Sequence, residues 1–219
     1  MRDVTDQNAV LIVGSTPQYP QGVIDDIGGI AKIAIDSDIN CHVDACMGGI
    51  ILPYMSRLEE KIAPWNLQVP GVSSISVDLH KFGYTSKGAS VILYASQHLR
   101  SFQGFITDDW LGGFYGSSGV LGTKSGGSMA SAWAVMHFLG DDGHLRLTRQ
   151  AREATLQLAD ELSKRGWYVD RQTPLDSLHC TVNAIHHDKI DWFTKDLRDC
   201  IAIALNQRPT GTVGTYGTL

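Results

Sequence analysis

Two charged residues of this 219-residue chain stand where short apolar segments end. Asp44 closes the segment that begins at Cys41, and Lys81 follows the segment Ser73–Asp78 with His80 directly before it. A carboxylate at the end of a buried strand must be solvated or have a cationic partner. Taken singly, Asp44 could be a turn cap and Lys81 a solvated lysine, so the pair is more informative than either residue.

The pair has the chemistry that a pyridoxal phosphate enzyme of the aspartate aminotransferase type requires. The lysine amine forms a Schiff base with the cofactor aldehyde, and an amine of this kind loses its proton readily when it is desolvated. The carboxylate keeps the pyridine nitrogen protonated, so that the ring can act as an electron sink. Lys81 and Asp44 therefore predict a site for pyridoxal 5′-phosphate.

The composition is that of a globular protein with no preference for nucleic acid. Hydrophobic residues make up 43% of the chain, charged residues 19%, and the formal net charge is −5. Scattered Lys and Arg residues give no basic patch for a phosphate backbone. The apolar run Gly48–Leu52 is far shorter than the roughly 20 residues that cross a bilayer. We expect an intracellular protein without a membrane span in this chain.

Strand and helix patterns alternate in the first half of the chain. The sequence predicts strands at 9–13, 41–46, 73–78 and 90–94 and a helix at 23–35. This order favours an α/β sheet whose ligand site lies at the carboxyl ends of the strands. Further along, helices at 128–139, 143–164 and 188–206, with strands near 167–169 and 179–182, indicate a smaller α+β domain. We expect a large domain over 1–140 and a reduced carboxy-terminal domain over 141–219.

The cysteines and the remaining histidines carry no recognisable site pattern. The four cysteines have neither C-x-x-C spacing nor a disulfide framework, so we interpret them as mostly buried thiols and assign them no chemistry. His186 and His187 have no partner at a metal-ligand spacing. No metal is implied.

Several motifs in order resemble the sphingosine-1-phosphate lyases of the group II pyridoxal-dependent decarboxylase family. They are Val13–Asp25, His42–Cys46, Gly71–Gly88, Thr107–Tyr115 and Gly122–Gly127. The similarity covers most of the first 140 residues and is weaker beyond. It implies part of a fold type I, aspartate aminotransferase-like domain, with a mainly parallel sheet between helices.

The resemblance implies roles for residues that match the cofactor site. Lys81 is the Schiff-base lysine and Asp44 the partner of the pyridinium nitrogen. Ala45 lies under the ring, and His80 contacts the cofactor phosphate or the internal aldimine. Ser15 and Thr16 occupy the turn that faces the cofactor and are expected to bind it.

The resemblance also implies a substrate phosphate site and a glycine-rich phosphate loop. Tyr19 and Lys87 match residues that line the substrate phosphate site. Gly126 and Gly127 lie in a loop that a partner subunit offers to the cofactor phosphate, through backbone amides that can bind an anion. The usual Arg-Pro pair of this loop is replaced by Lys124-Ser125, which keeps one charge but loses the bidentate fork.

The implied activity is retro-aldol cleavage of a phosphorylated sphingoid base to a fatty aldehyde and phosphoethanolamine. Tyr19 or a phosphate oxygen would take the proton from the C3 hydroxyl as the C2–C3 bond breaks. The rival is an amino-acid decarboxylase on the same scaffold, which has no use for the phosphate clamp of Tyr19 and Lys87. The implied partner is a second copy of the chain, with Trp110, Tyr115 and Gly126 near the interface.

Some expected parts of such an enzyme are missing from the sequence. In the family, the cofactor phosphate loop and the histidine that stacks on the ring lie upstream of the strand that begins here at Ala9, and eight residues cannot contain them. The helix that ends at Lys164 runs directly into Arg165, whereas family members place several tens of residues between these two features, so the resemblance implies an internal gap here. A third hypothesis is therefore an inactive binding or dimerisation module.

Overall fold

The structure is a computed structural model that describes residues 1–20, 22–163, 182 and 184–206. The chain divides into two compact units, Met1–Arg149 and Gln150–Leu219. The first unit contains the sheet and every residue of the candidate site.

Four strands form the main sheet in the order β1-β2-β3-β4. They are β1 (Leu11–Ser15), β2 (Asn40–Asp44), β3 (Val72–Asp78) and β4 (Ser90–Tyr94). β1, β2 and β3 are parallel, and β4 runs antiparallel to β3. The predicted strands and the predicted mainly parallel α/β sheet are confirmed, and the carboxyl ends of the three parallel strands meet at one edge.

Two helices cover one face of this sheet. α1 (Ile27–Asp36) begins where the Asp26 carboxylate accepts a hydrogen bond from the Gly29 amide, and α2 (Gly48–Arg57) follows β2. An aspartate at the helix N-cap satisfies an amide that has no partner inside the helix, so α1 starts later than the predicted residue 23. Alternate strand residues point into the core beneath the helices, which contains Ile12, Cys41, Val43, Ile75, Val77, Ile27, Ala31, Ala34 and Leu52.

A β-bulge in β3 sets which residues reach the opposite face. Cys41 pairs with Val72, but His42 pairs with Ser74, so Ser73 is an extra residue. The Ser73 hydroxyl donates to the Cys41 carbonyl at 2.7 Å and accepts from the Cys41 amide at 3.0 Å. The bulge shifts the alternation by one residue, which puts Ile75 in the core and the serines on either side of it on the second face.

The remaining described elements lie outside the main sheet. They are α3 (Gln97–Ser101), the antiparallel pair β5 (Phe105–Thr107) and β6 (Tyr115–Ser117), α4 (Gly126–Ser163) and α5 (Ile190–Asn206), with short 3-10 helices at Arg2–Val4 and Ala184–Lys189. α4 is interrupted at Gly140, where φ is 56° and ψ is −169°, between the two helices that the sequence predicts. The predicted strands near 167–169 and 179–182 lie outside the described residues, apart from Val182. None of the described helices is long and apolar enough to cross a bilayer.

The approach of α2 to the end of β1 gives a stability prediction. A Cβ atom at Gly48 would overlap the backbone carbonyl oxygen of Thr16, which cannot move as a flexible side chain can. We expect Gly48→Ala to lower the free energy of unfolding by about 2 kcal/mol in urea titrations followed by circular dichroism. Gly104→Ala is the matched control, because no described atom lies within 4 Å of its added Cβ. Equal losses in the two variants would contradict the close packing of α2 on β1.

Candidate active site

The candidate site lies at the carboxyl ends of the parallel strands. Ser15 of β1 pairs with Asp44 of β2, and Asp44 pairs with Ser76 of β3. The Thr16 amide donates to the Asp44 carbonyl at 2.8 Å, and the Ala45 amide donates to the Ser76 carbonyl at 3.0 Å. The backbone at the end of β2 is therefore held from both sides.

The Asp44 carboxylate is half-buried and is held by hydrogen-bond donors. Its Oδ1 accepts from the Cys46 amide at 3.0 Å and from the Ser76 hydroxyl at 3.2 Å. Burial raises the pKa of Asp44, but hydrogen bonds from Cys46 and Ser76, together with the positive charge of His42 when its ring is protonated, outweigh burial, so the pKa lies below its usual value. Asp44 is therefore ionised at neutral pH and can accept a hydrogen bond from a ligand N–H group.

Lys81 lies in the turn after β3, close to the same edge. Its Nζ is 3.0 Å from Cys46 Sγ, 3.2 Å from Asp78 Oδ2 and 5.7 Å from the centre of the Tyr19 ring. The Cys46 residue, whose amide binds Asp44, thus also contacts the lysine amine. Lys81 and Asp44 are brought together through this one residue.

The protonation of Lys81 differs from the sequence-based expectation. Burial lowers the pKa of its amine, as expected, but the Cys46 sulfur and the Asp78 carboxylate outweigh burial and raise the pKa above its usual value. Burial also raises the pKa of the Cys46 thiol, which therefore stays protonated. The structure thus presents an ammonium group beside a carboxylate, and the amine becomes nucleophilic only when it gives up its extra proton.

Asp78 and His80 form the surroundings of the lysine. The Asp78 carboxylate also accepts a hydrogen bond from the Ser90 hydroxyl, and His80 Nε2 lies 3.6 Å from its Oδ2. His80 Nδ1 donates to the Ala89 carbonyl at 3.0 Å. The ring of His80 is thus fixed between the turn and β4, one residue from Lys81.

The turn after β1 places the other residues expected near the cofactor. The Ser15 amide donates to Asp25 Oδ2 at 2.8 Å, which anchors the turn to the residues before α1. Thr16 is fully buried, and its Oγ1 has no hydrogen-bond partner among the described residues. Tyr19 is 42% exposed, and its ring lies over the lysine amine. Tyr19 therefore stands at the solvent side of the site.

The residues expected to bind phosphate form a second group. Gly126 and Gly127 begin α4, and their side of the helix meets the loop that carries Lys87: the Ser128 hydroxyl donates to the Lys87 carbonyl at 3.4 Å. The Lys87 side chain is exposed. Among the described residues, Lys81 makes polar contacts with Cys46 and Asp78, and these contacts do not link the second group to the lysine.

Sequence reasoning missed three residues that hold the site. It assigned Cys46 no role and did not consider Asp78 or Ser76. The positions of Cys46 and Asp78 contain a usable signal. Cys46 follows the strand-end aspartate by two residues and Asp78 precedes the lysine by three, and such short spacings bring side chains together in a turn. Ser76 gives no such signal, because its place beside Asp44 depends on the bulge in β3.

Comparisons with known proteins identify relatives along the whole chain. No protein-family model matches it. The sphingosine-1-phosphate lyase of Dictyostelium discoideum is 33% identical over 100% of this chain and 48% of the relative, and sphingosine-1-phosphate lyase 1 of Rattus norvegicus is 39% identical over 99% and 45%. The chain thus spans about half the length of the curated relatives it matches. The Dictyostelium match extends over 253 positions against 219 residues here, so that relative carries residues inside the matched region that this chain lacks.

Solved structures give the same result. The sphingosine-1-phosphate lyase of Burkholderia pseudomallei superposes with a TM-score of 0.84 at 32% identity, covering 94% of this chain and 55% of that one. A glutamate decarboxylase of Lactobacillus brevis has a TM-score of 0.64 at 18% identity, covering 87% and 54%, and shares the fold alone. The predicted fold type I architecture and the predicted resemblance are confirmed.

The contact between Lys81 and Asp78 gives a prediction about titration. We expect Asp78→Asn to lower the pKa of Lys81, because the substitution removes a negative charge that favours the ammonium form. Reductive ¹³C-methylation followed by NMR titration measures this pKa directly. In the wild type, the stabilisation from this raised pKa is present below the pKa of an unfolded lysine and is lost as pH rises through the folded value.

Asp78→Glu is the matched control for this prediction, because it keeps the carboxylate. Its Lys81 resonance should titrate close to the wild-type pH. If Asp78→Asn and Asp78→Glu titrate alike, the charge of Asp78 does not set the protonation of Lys81.

Proposed function

Because the chain is a relative of the sphingosine-1-phosphate lyases and spans about half of their length, we propose that its site serves pyridoxal phosphate-dependent cleavage of a carbon–carbon bond. The observation that carries the proposal is the placement of the Lys81 amine and the ionised Asp44 carboxylate at adjoining strand ends, both in contact with Cys46. Such a pair supplies a covalent attachment point and an acceptor for a ring N–H group.

The residues present fit pyridoxal phosphate. The amine of Lys81 would attach to the aldehyde, and Asp44 would accept the hydrogen bond of the ring nitrogen. Ala45 directly follows Asp44 and is fully buried, and its small side chain adds no bulk at the end of β2. The buried Oγ1 of Thr16, without a described partner, adds a hydroxyl beside the end of β2. When bound, the cofactor supplies an electron-withdrawing ring that stabilises negative charge on the carbon next to the substrate nitrogen.

Each side chain has a defined task in this proposal. Asp44 keeps the ring nitrogen protonated, since its lowered pKa leaves it ionised. Asp78 takes part in holding the amine of Lys81 in place until the amine is deprotonated for attachment. Tyr19, whose ring lies over this amine, or a phosphate oxygen would take the proton of a substrate hydroxyl as the carbon–carbon bond breaks.

A phosphorylated sphingoid base is the proposed substrate. The support is the printed name of the relatives together with two matched residues, Tyr19 and Lys87. Both side chains are exposed and so accessible to a ligand phosphate. Binding energy from a phosphate remote from the breaking bond helps to orient the reacting carbons. The products would be a fatty aldehyde and phosphoethanolamine.

We further infer that the chain forms a homodimer through the region 102–138. Large apolar side chains are exposed along it, and contiguous apolar patches on monomers mark interaction surfaces. The large apolar residues of this region that have more than half of their surface exposed are Phe102, Phe105, Ile106, Trp110, Leu111, Phe114, Val120, Leu121, Met129, Trp133 and Phe138. Tyr115 and Gly126 lie in the same region, so the proposed phosphate loop would lie beside the proposed interface.

Cofactor attachment is the first test of the proposal. Purified chain mixed with pyridoxal phosphate should develop an absorption band in the near-visible range, and borohydride should fix the cofactor to one lysine found by peptide mass spectrometry. We expect that lysine to be Lys81 and the label to disappear in Lys81→Ala. Lys87→Ala is the matched control and should keep the label. Label on another lysine would contradict the site assignment.

Substrate choice is the second test. With the cofactor bound, we expect release of a fatty aldehyde from dihydrosphingosine 1-phosphate and at least tenfold weaker turnover of dihydrosphingosine, which lacks the phosphate. Lys87→Ala should raise the KM for the phosphorylated substrate about tenfold, because it removes a hydrogen bond to a charged group.

Three other outcomes of this test have distinct meanings. Carbon dioxide from aromatic or acidic amino acids without aldehyde would support a decarboxylase. Equal turnover of the two sphingoid bases would contradict the phosphate site. Cofactor binding without any turnover would support a binding or dimerisation module.

A further inference from the structure

A row of hydrogen-bonded side chains crosses the second face of the sheet and ends at Asp44. The Ser74 hydroxyl is 2.8 Å from His42 Nδ1, His42 Nε2 is 3.1 Å from the Ser76 hydroxyl, and that hydroxyl is 3.2 Å from Asp44 Oδ1. Two members lie on β2 and two on β3, in register as cross-strand neighbours. The row is thus continuous from the middle of the sheet to the candidate site.

The chemistry of the groups fixes the direction of every bond in the row. Ionised Asp44 can only accept, so the single hydrogen of the Ser76 hydroxyl points to it. The Ser76 oxygen must then accept from His42, which makes Nε2 the protonated nitrogen of a neutral ring. Nδ1 is left as an acceptor for the Ser74 hydroxyl. All three bonds therefore donate towards Asp44.

The neutral state of His42 agrees with its surroundings. Burial lowers the pKa of the ring, and this outweighs the opposite effect of the Asp44 charge. Among the described residues, the titratable groups that shift the pKa of Asp44 are His42 and Cys46. A neutral histidine with a fixed tautomer polarises the serine hydroxyl, and hydrogen bonds aligned in one direction strengthen one another.

The bulge at Ser73 is what creates the row. If the same sequence paired in a regular register, with Ser73 opposite His42, Asp44 would face Ile75 and no hydroxyl would lie beside the carboxylate. With the bulge, the serines at 74 and 76 lie beside His42 and Asp44. Bulges concentrate next to functional sites, where they redirect side chains.

We propose that His42 and Ser76 are positioning residues that act through Asp44, holding its carboxylate ionised and oriented for the ring N–H of the cofactor. This inference rests on the proposed function for its ligand. The row itself belongs to the ligand-free chain, so its effect on Asp44 can be measured without any cofactor.

The first experiment titrates Asp44 in the ligand-free chain by carboxyl ¹³C NMR. Ser76→Ala and His42→Leu should both move the Asp44 titration to higher pH, with the larger effect in Ser76→Ala. His42→Gln should restore much of the wild-type value, because its amide nitrogen can replace the Nε2 donor. Ser90→Ala is the matched control, since its hydroxyl donates to Asp78 instead, and it should leave Asp44 unchanged. An unchanged Asp44 titration in Ser76→Ala would overturn the inference.

The second experiment measures the dissociation constant of pyridoxal phosphate. Ser76→Ala should weaken binding about tenfold, the size expected for loss of a hydrogen bond to a charged group. In an Asp44→Asn background the same substitution should have almost no further effect, because the row would have no carboxylate to act on. A tenfold loss in both backgrounds would show a merely structural role and overturn the inference.

The two experiments separate this inference from the proposed function. Failure of the wild-type chain to bind pyridoxal phosphate would overturn the proposed function and the cofactor role given to the row. The Asp44 titration would still decide whether the row controls the carboxylate.

Discussion

A carboxylate that is partly withdrawn from water takes up a proton unless hydrogen-bond donors surround it. The residues around Asp44 supply such donors. The Cys46 amide and the Ser76 hydroxyl both reach its Oδ1. Each donor depends on a larger feature: the amide on the turn between β2 and α2, and the hydroxyl on the bulged pairing of β2 with β3. The parallel sheet thus brings two neutral donors to one charged oxygen.

The lysine side of the site is built on the opposite electrostatic principle. Asp78 and the Cys46 sulfur stabilise the ammonium form of Lys81, which a nucleophile must lose before it reacts. The extra proton makes Lys81 less nucleophilic, but it also lets the ammonium group bind Asp78, which holds the side chain at the strand edge instead of in solvent. Cys46 is common to both halves, so the positive and the negative group are kept near each other without forming a direct ion pair that would neutralise the site.

Much of this arrangement was predictable from sequence, and what was missed has a physical reason. Asp44 and Lys81 were found because strand ends in an α/β sheet meet at one edge, and Gly140 fell between the two predicted helices. The helix at Gly48–Arg57 was missed because two glycines and a short apolar run give no helical period. The bulge was missed because either register leaves a plausible alternation in Val72–Asp78, and only the packing of Ile75 under the helices decides between them.

The bulge at Ser73 also affects which genetic changes this strand can tolerate. If the codon for Ser73 were lost, Val72 would be followed directly by Ser74, and a regular strand would still pair Ser74 with His42 and Ser76 with Asp44, so both faces would be kept. An added codon cannot be absorbed in this way: unless the bulge grew by a second residue, Ile75 would meet water and Ser76 would enter the core. Across related sequences, the segment between Gly71 and Asp78 should therefore lose one residue more readily than it gains one.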